Sequence, residues 1–354
     1  MARLADICAI NMGQSPDSST YNEDGNGLPF FQGNADFGVL HPSIRVWCSA
    51  PTKIAKPNDI LISVRAPIGA LNIADIECCI GRGLAALTVN PDLCTQKYLW
   101  YGLESKVEEL NFKGTGSTFK AISKNTLFDT EIPLPSLTEQ THIAVVLDKV
   151  SELITLRKQQ LDKLDELVKA RFVEMFGDPV NNTMKWDIFS WEQVFDTTTG
   201  RLDSNAATDN GKYPFFTCAK DWLWIDSYAF DCEALLLAGN NAAGVYDVKY
   251  YNGKFNAYQR TYVLKLLNAE WQYSVFKFQL ENRLSYLQSQ SKGTNTRYLT
   301  LGILNSLTFM VPPNDLQNQF SLFVTQVDKY RLTIQQGLDK LETMKKALMQ
   351  IYFR

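Results

Sequence analysis

The sequence predicts an α+β fold: two mixed α/β domains built on one internal repeat, each followed by a long helix, with the two helices packed on each other. Three observations carry this. Landmarks in the first half of the 354 residues recur in the second. Each half begins with short apolar runs broken by Gly, Pro and Asn, which read as strands. Each half ends in a long stripe of apolar residues spaced three and four apart, which reads as a helix.

The repeat is dense. Lys113-Gly-Thr-Gly-Ser-Thr-Phe119 matches Lys292-Gly-Thr-Asn-Thr-Arg-Tyr298, and the same offset of 179 residues takes Pro133 to Pro312 and Gln140 to Gln319. Upstream, Leu28-Pro-Phe-Phe31 resembles Tyr213-Pro-Phe-Phe216, and Leu4, Ile7 and Gly13 pair with Trp191, Val194 and Gly200. Asp59 to Gly69 resembles Ala234 to Gly244, which sets Arg65 against Asn240. The expected strands are Pro57 to Val64, Leu84 to Val89, Ala234 to Leu237 and Thr261 to Leu266. Amphipathic stretches follow at Gln96 to Leu110 and Trp271 to Leu287, then a polar Gly/Thr loop, then an apolar run ending in proline.

After each proline pair a long helix begins. Thr138 is the expected cap of the first. Its stripe is Ile143, Leu147, Val150, Ile154, Leu161, Leu164, Val168, Phe172 and Met175, and it stops before Gly177-Asp-Pro179. The second carries Phe320, Phe323, Val327, Ile334, Leu338, Leu341, Met344, Leu348 and Ile351. About 36 residues make a rod of roughly 54 Å. Neither stripe is wide enough for a large core, so the two rods are expected to pack together. The expected boundaries are a first domain at 1–137, a helix at 138–180, a second domain at 181–315 and a helix at 316–354.

Composition excludes several classes. Hydrophobic residues are 45% and charged residues 21%, ordinary for a globular chain. Thirty-five basic against thirty-eight acidic side chains leave a net charge of −3, so a nucleic-acid surface would have to be a local basic groove. Seven cysteines with no CxxC pair, and only His41 and His142, argue against a disulfide framework or a structural zinc site. The polar start argues against a secretory signal, and no apolar run reaches membrane-spanning length. A reducing cytoplasm is the expected compartment.

Catalytic signatures are missing. Val311-Pro-Pro-Asn314 lacks the preceding acid or amide and the following aromatic expected of an adenine amino-methyltransferase. The Gly114-Thr-Gly-Ser-Thr run lacks the Gly-Lys-Ser/Thr ending of a nucleotide loop, and no glycine fingerprint follows a strand. Asp92, Glu104 and Lys106 formally fit a loose metal-dependent nuclease pattern, but Glu104 and Lys106 fall on an amphipathic stretch and read as solvated surface. The expectation is no catalytic residue, no metal site and no cofactor in this chain.

Along its whole length the chain resembles the DNA specificity (S) subunits of type I restriction-modification systems. The resemblance rests on Leu4-Ala-Asp-Ile with Met12-Gly-Gln-Ser-Pro16, read as an opening strand and turn, on Lys56-Pro-Asn-Asp-Ile-Leu-Ile62, on the Gly114 to Thr118 loop, and on Ile132-Pro-Leu-Pro135 with Glu139-Gln140. It implies that each domain is a target recognition domain reading one half of a bipartite, asymmetric double-stranded DNA sequence. It implies that the helices form an antiparallel coiled coil spacing the halves. It further implies that two methyltransferase (M) subunits and motor-nuclease (R) subunits are the partners that carry out adenine-N6 methylation and ATP-dependent restriction, and that S-adenosylmethionine, ATP and Mg belong to them. The alternatives are a self-contained DNA methyltransferase or nuclease with an unrecognised site, and a two-domain protein-interaction scaffold.

The DNA contacts divide by chemistry, because phosphate contacts position and base-edge contacts specify. The phosphate candidates are Lys113, Ser117, Thr118, Lys120 and Lys124 in the first half, and Lys292, Thr294, Asn295, Thr296 and Arg297 in the second. The base-reading candidates are Arg65, Asn240 and Asn241, with Asn34, Arg45, Arg82, Lys220, Tyr258, Gln259 and Arg260 behind them, since Arg pairs with guanine and Asn or Gln with adenine in the major groove. Each also has a structural reading as a turn, strand-edge or solvated loop residue. The aromatic group Trp222, Trp224, Tyr228 and Phe230 reads as packing rather than base stacking.

Overall fold

The computed structural model describes residues 1–116, 120–242 and 244–354. The chain forms two compact units, Met1–Lys158 with Gln336–Arg354, and Gln159–Gln335.

In the first unit an antiparallel sheet runs in the order Cys8–Met12, Leu84–Val89, Ile60–Ser63, Leu71–Ile73. All four residues of Ile60–Ser63 are buried, which is why its first three, Ile60, Leu61 and Ile62, read as a continuous apolar run. A five-stranded sheet sets Leu28–Phe31 parallel to Cys78–Ile80, pairing Phe30 with Cys79. Helices Gln96–Ser105 and Lys124–Phe128 are capped by the hydroxyls of Thr95 and Ser123. In the second unit Phe195–Thr199, Thr261–Leu266, Phe230–Ala238 and Val248–Ala257 take the places of the first sheet, and Tyr213–Phe216 again pairs in parallel, Phe215 against Asn256. Here the single long strand Val248–Ala257 serves both layers, where the first unit uses the separate strands Leu71–Ile73 and Cys78–Ile80.

Leu4–Ile7 is a helical turn, not the strand expected, and Trp191–Val194 repeats it. The long helices are Leu137–Phe176 and Asn314–Tyr352. Ser136, not Thr138, caps the first, its Oγ accepting from the Glu139 amide at 3.3 Å. Gly177 at φ +77° follows the last turn.

The structural repeat from the glycine loop onward runs at an offset of 177 residues, not 179. Gly116 and Gly293 both have positive φ, +123° and +97°. Thr115 bridges Ala121 as Lys292 bridges Tyr298, and the helices start at Leu137 and Asn314. The slip has a simple cause. Gly114 and Gly116, Pro133 and Pro135, and Gln317 and Gln319 are each two residues apart, so a two-residue shift still matches like with like. The buried glutamines decide the register. The Thr95 amide donates to Gln140 Oε1 at 2.9 Å, while Gln140 Nε2 donates to the carbonyls of Leu93 and Pro135. The Gln272 amide donates to Gln317 Oε1 at 3.0 Å, and Gln317 Nε2 donates to the Pro312 carbonyl. Both side chains are fully buried, so each fastens a short helix to a long one at a place where an unpaired amide would be costly.

Within each unit the two long helices lie antiparallel. In the first, Lys158 pairs with Glu342 at 2.9 Å, while Ile143 and Leu147 share a core with Leu348 and Phe353. In the second, Asp165 pairs with Arg331 at 2.6 Å, and Phe172 meets Phe320 edge-on at 5.3 Å. Each core is thus closed by the end of one long helix. Phe353 packs on Tyr98 at 5.0 Å in the first unit, and Phe176 packs on Phe172 at 4.9 Å in the second. These two aromatics, 177 residues apart, lie outside the stripes read from the sequence; Ile351, placed in a stripe, is 71% exposed.

All seven cysteines are free thiols, five of them buried. Burial pushes the thiols of Cys8, Cys78 and Cys94 up to about 12, which keeps them protonated at neutral pH. Mild alkylation of the native protein at about pH 8 should therefore label the half-exposed Cys218 first. Mass spectrometry of the digested product should find Cys8, Cys78 and Cys94 unmodified unless denaturant is present.

Candidate nucleic-acid interface

The candidate readers sit where two strands of each unit diverge. The ladder between Ile60–Ser63 and Leu84–Val89 pairs Ser63 with Leu84. One residue further the Val64 amide donates to the Gly83 carbonyl at 2.9 Å. Just beyond it stand Arg65 and, in the turn 81–84, Arg82. In the second unit Ala238 pairs with Thr261, the Gly239 amide donates to the Arg260 carbonyl at 2.8 Å, and just beyond stand Asn240 and, in the turn 258–261, Gln259. Arg65 matches Asn240, as the sequence indicates. Arg82 matches Gln259, an equivalence that single-residue reading does not reveal.

The backbone at these positions is pinned. Arg65 bridges Ala121, and Ser63 Oγ donates to its carbonyl at 2.7 Å. Asn240 and Asn241, expected in a loop, form a two-residue strand against Arg297–Tyr298. The Arg82 amide donates to Ser15 Oγ at 3.3 Å, and the Gln259 amide donates to the Leu202 carbonyl at 2.9 Å. Among the described residues, the side chains of Arg65, Arg82, Asn240 and Gln259 make no hydrogen bond or ion pair within the chain. The first three exposed positions, Arg65, Arg82 and Gln259, contrast with Asn240, which is half-buried.

Other candidates are already engaged. Arg45 Nη2 donates to the Ala35 carbonyl at 3.1 Å and to Asp36, and the buried Asp36 carboxylate also accepts from the amides of Gln32 and Gly33. The pair closes the base of the 36–45 loop, which assigns Arg45 a clamping geometry. Asn34, Asp36, Arg45 and Arg65 line one cavity of about 390 Å³ in the first unit, with Gln32 and Gly83. Lys113 pairs with Glu109 at 2.6 Å, Lys124 lies 4.8 Å over the Phe128 ring, and Arg297 donates to the Gln288 carbonyl at 3.3 Å. Lys120, Lys220, Arg260, Lys292, Thr294, Asn295 and Thr296 are exposed, and Tyr258 is half-buried. Ser117 and Thr118 lie outside the described residues. Lys120 and Arg297 occupy equivalent places, each one residue before the bridged Ala121 or Tyr298.

The nuclease-like trio does not assemble. Glu104 pairs with Lys345 at 2.8 Å, and Lys106 pairs with Glu109 at 3.2 Å. Among the described residues there is no group of three or more His, Cys, Asp or Glu able to hold a metal, and no helix long and apolar enough to cross a membrane. The aromatic group packs on the second sheet: Trp222 on Phe216 at 5.1 Å, Tyr228 on Tyr213 at 5.0 Å, Phe230 on Phe255 at 5.1 Å.

A duplicated scaffold that keeps its backbone bonds and changes the side chains displayed on them has the form of a two-copy recognition protein. The sequence model of the type I restriction modification DNA specificity domain matches residues 1–166 and 184–343, and the chain belongs to that family. A Methanocaldococcus jannaschii protein described as a candidate specificity subunit of the type I restriction enzyme MjaX is 41% identical over 160 residues, 45% of this chain and 38% of that protein. The Escherichia coli type I restriction enzyme EcoDI specificity subunit is 32% identical over 170 residues, 46% of this chain and 37% of that protein. The matches thus span under two fifths of each of these relatives. The crystal structure of a type I restriction-modification S subunit from M. genitalium shares the fold, with a TM-score of 0.64 at 18% identity over 99% of this chain and 95% of that one.

Proposed function

We propose that this chain is a non-catalytic DNA sequence-recognition subunit. Residues 1–137 and 181–315 act as two target recognition domains reading the halves of a bipartite, asymmetric duplex, and residues 138–180 and 316–354 act as the spacer helices. The chain directs adenine-N6 methylation or ATP-dependent restriction by two methyltransferase subunits and by motor-nuclease subunits, which hold S-adenosylmethionine, ATP and Mg. The observation that carries this reading is the pair of equivalent, pinned backbone sites that display Arg65 and Arg82 in one unit and Asn240 and Gln259 in the other. A scaffold conserved between copies with altered base-pairing chemistry is what two different half-sites require. Family membership supports the same reading.

The test is to combine the chain with its methyltransferase subunits and sequence the methylated products of a plasmid library. Methylation at one bipartite sequence is expected, and none from the chain alone. Turnover by the chain freed of partners would overturn the non-catalytic assignment. Lys120 bears on the positioning contacts, because it is exposed beside the glycine loop. Lys120→Ala should weaken binding to most duplexes alike and reduce the steepness of the salt dependence by about one phosphate contact. Binding titrations at several salt concentrations measure this, and a sequence-selective loss would make Lys120 a base reader instead.

A further inference from the structure

We infer that the two side chains flanking the end of each ladder set the base composition of its half-site: Arg65 and Arg82 select guanine in the half read by the first unit, and Asn240 and Gln259 select adenine at the corresponding places in the other. This rests on the DNA-reading function proposed above and adds which bases each unit prefers.

The argument is one of chemistry on matched geometry. The first ladder pairs Ser63 with Leu84 and ends in the Val64–Gly83 bond; the second pairs Ala238 with Thr261 and ends in the Gly239–Arg260 bond. Arg82 and Gln259 hold the same place in equivalent turns, 81–84 closed by the Leu84 amide on the Gly81 carbonyl at 3.0 Å and 258–261 closed by the Thr261 amide on the Tyr258 carbonyl at 2.8 Å, beside the ladder ends that carry Arg65 and Asn240. Each backbone is held from a second direction as well. The strand after the glycine loop holds Arg65 and Asn240, through Ala121 and Tyr298. The segment after the first strand holds Arg82 and Gln259, through Ser15 and Leu202. The donors therefore stand on a rigid base while their ends remain uncommitted among the described residues, the condition under which a side chain gives its full hydrogen-bonding capacity to a ligand. Arg45 differs: its Nη2 is spent on Ala35 and Asp36, so it lacks a complete fork.

Both positions change in the same sense between the copies, Arg to Asn and Arg to Gln. A guanidinium fork matches guanine O6 and N7, and a carboxamide matches adenine N7 and N6. If these were merely solvated turn residues, either position could carry any polar side chain, and the paired change from guanidinium to amide would have no cause.

The test uses the full chain and a randomised duplex DNA library, with bound duplexes recovered and sequenced. Enrichment of a bipartite motif is expected. In Arg65→Asn/Arg82→Gln, the guanine preference of one half should fall from on the order of tenfold or more to parity or turn toward adenine, while the other half is read as before. Asn240→Arg/Gln259→Arg should do the converse. The unaffected half reports in each case that the variant is folded. A bipartite motif that neither double variant alters would overturn this inference and leave the recognition function standing. Failure of the unaltered chain to enrich any duplex would overturn both.

Discussion

Phe353→Ala should lower the stability of the first unit by about 3–5 kcal/mol, the cost of deleting a large buried aromatic whose cavity cannot fully collapse. Phe353 is 4% exposed and packs on Tyr98, whose hydroxyl donates to the Pro133 carbonyl at 2.9 Å. Leu348, Met349 and Tyr352 pack against the same core, which also holds Leu99, Ile132, Ile143 and Leu147. Removing the ring opens a void just past the end of the second long helix, against Tyr98 and Gly102 of the helix Gln96–Ser105. Hydrogen exchange separates this from general loosening. Amides of Cys8–Met12 and Leu84–Val89 should lose protection first, while those of Thr261–Leu266 keep theirs. Phe176→Ala should give the reverse pattern, because Phe176 is fully buried against Phe172 and Phe320 in the other core. Equal loss in both units after either substitution would mean that the two cores unfold as one.

These aromatics mark where the sequence stops being legible. A helical stripe records spacing, and it identified Ile143, Leu147 and Phe172 because they recur every three or four residues. Phe353 breaks that spacing, and Phe176, four residues after Phe172, competes with Met175 for the same last turn; both lie where a long helix ends and enters a core. Their burial is a tertiary fact. The strands Leu84–Val89 and Thr261–Leu266 fall where their apolar runs indicate, since each run is bounded by Gly or by a turn. The repeat itself was plain, but its register past the glycine loop was not, because Gly114 and Gly116 and the paired prolines tolerate a shift of two. In the site, the match of Arg65 to Asn240 follows from alignment. The match of Arg82 to Gln259 needs the ladder, since Gly81-Arg82-Gly83 and Tyr258-Gln259-Arg260 share no residue at matched positions. The clamp on Arg45 was invisible for a different reason: Asp36 lies nine residues away around a loop.

Exchanging residues 181–315 for the matching segment of a relative should replace one half of the DNA target and leave the other unchanged. The exchanged segment holds the six-stranded sheet with Asn240 and Gln259, and none of the strands of the first unit. It does not hold all of its own core. Val168, Phe172, Phe176 and Phe320 come from the long helices and pack against Trp191, Phe276 and Phe309. A donor must therefore present a pocket for those rings, or the second unit loses the same few kcal/mol that Phe176→Ala removes. With a fitting donor, discrimination at the old second half-site should be lost at each of its base pairs, about 1–3 kcal/mol apiece, which compounds to roughly a hundredfold or more over three positions. The measurement is the set of methylated adenines produced with the methyltransferase subunits present, read across a genome before and after the exchange. A target altered in both halves would show that the two units do not read independently. Were the first half retained and the second simply unread, the fault would lie in the ring pocket, and restoring the donor's own residues at 168, 172, 176 and 320 should recover a new second half.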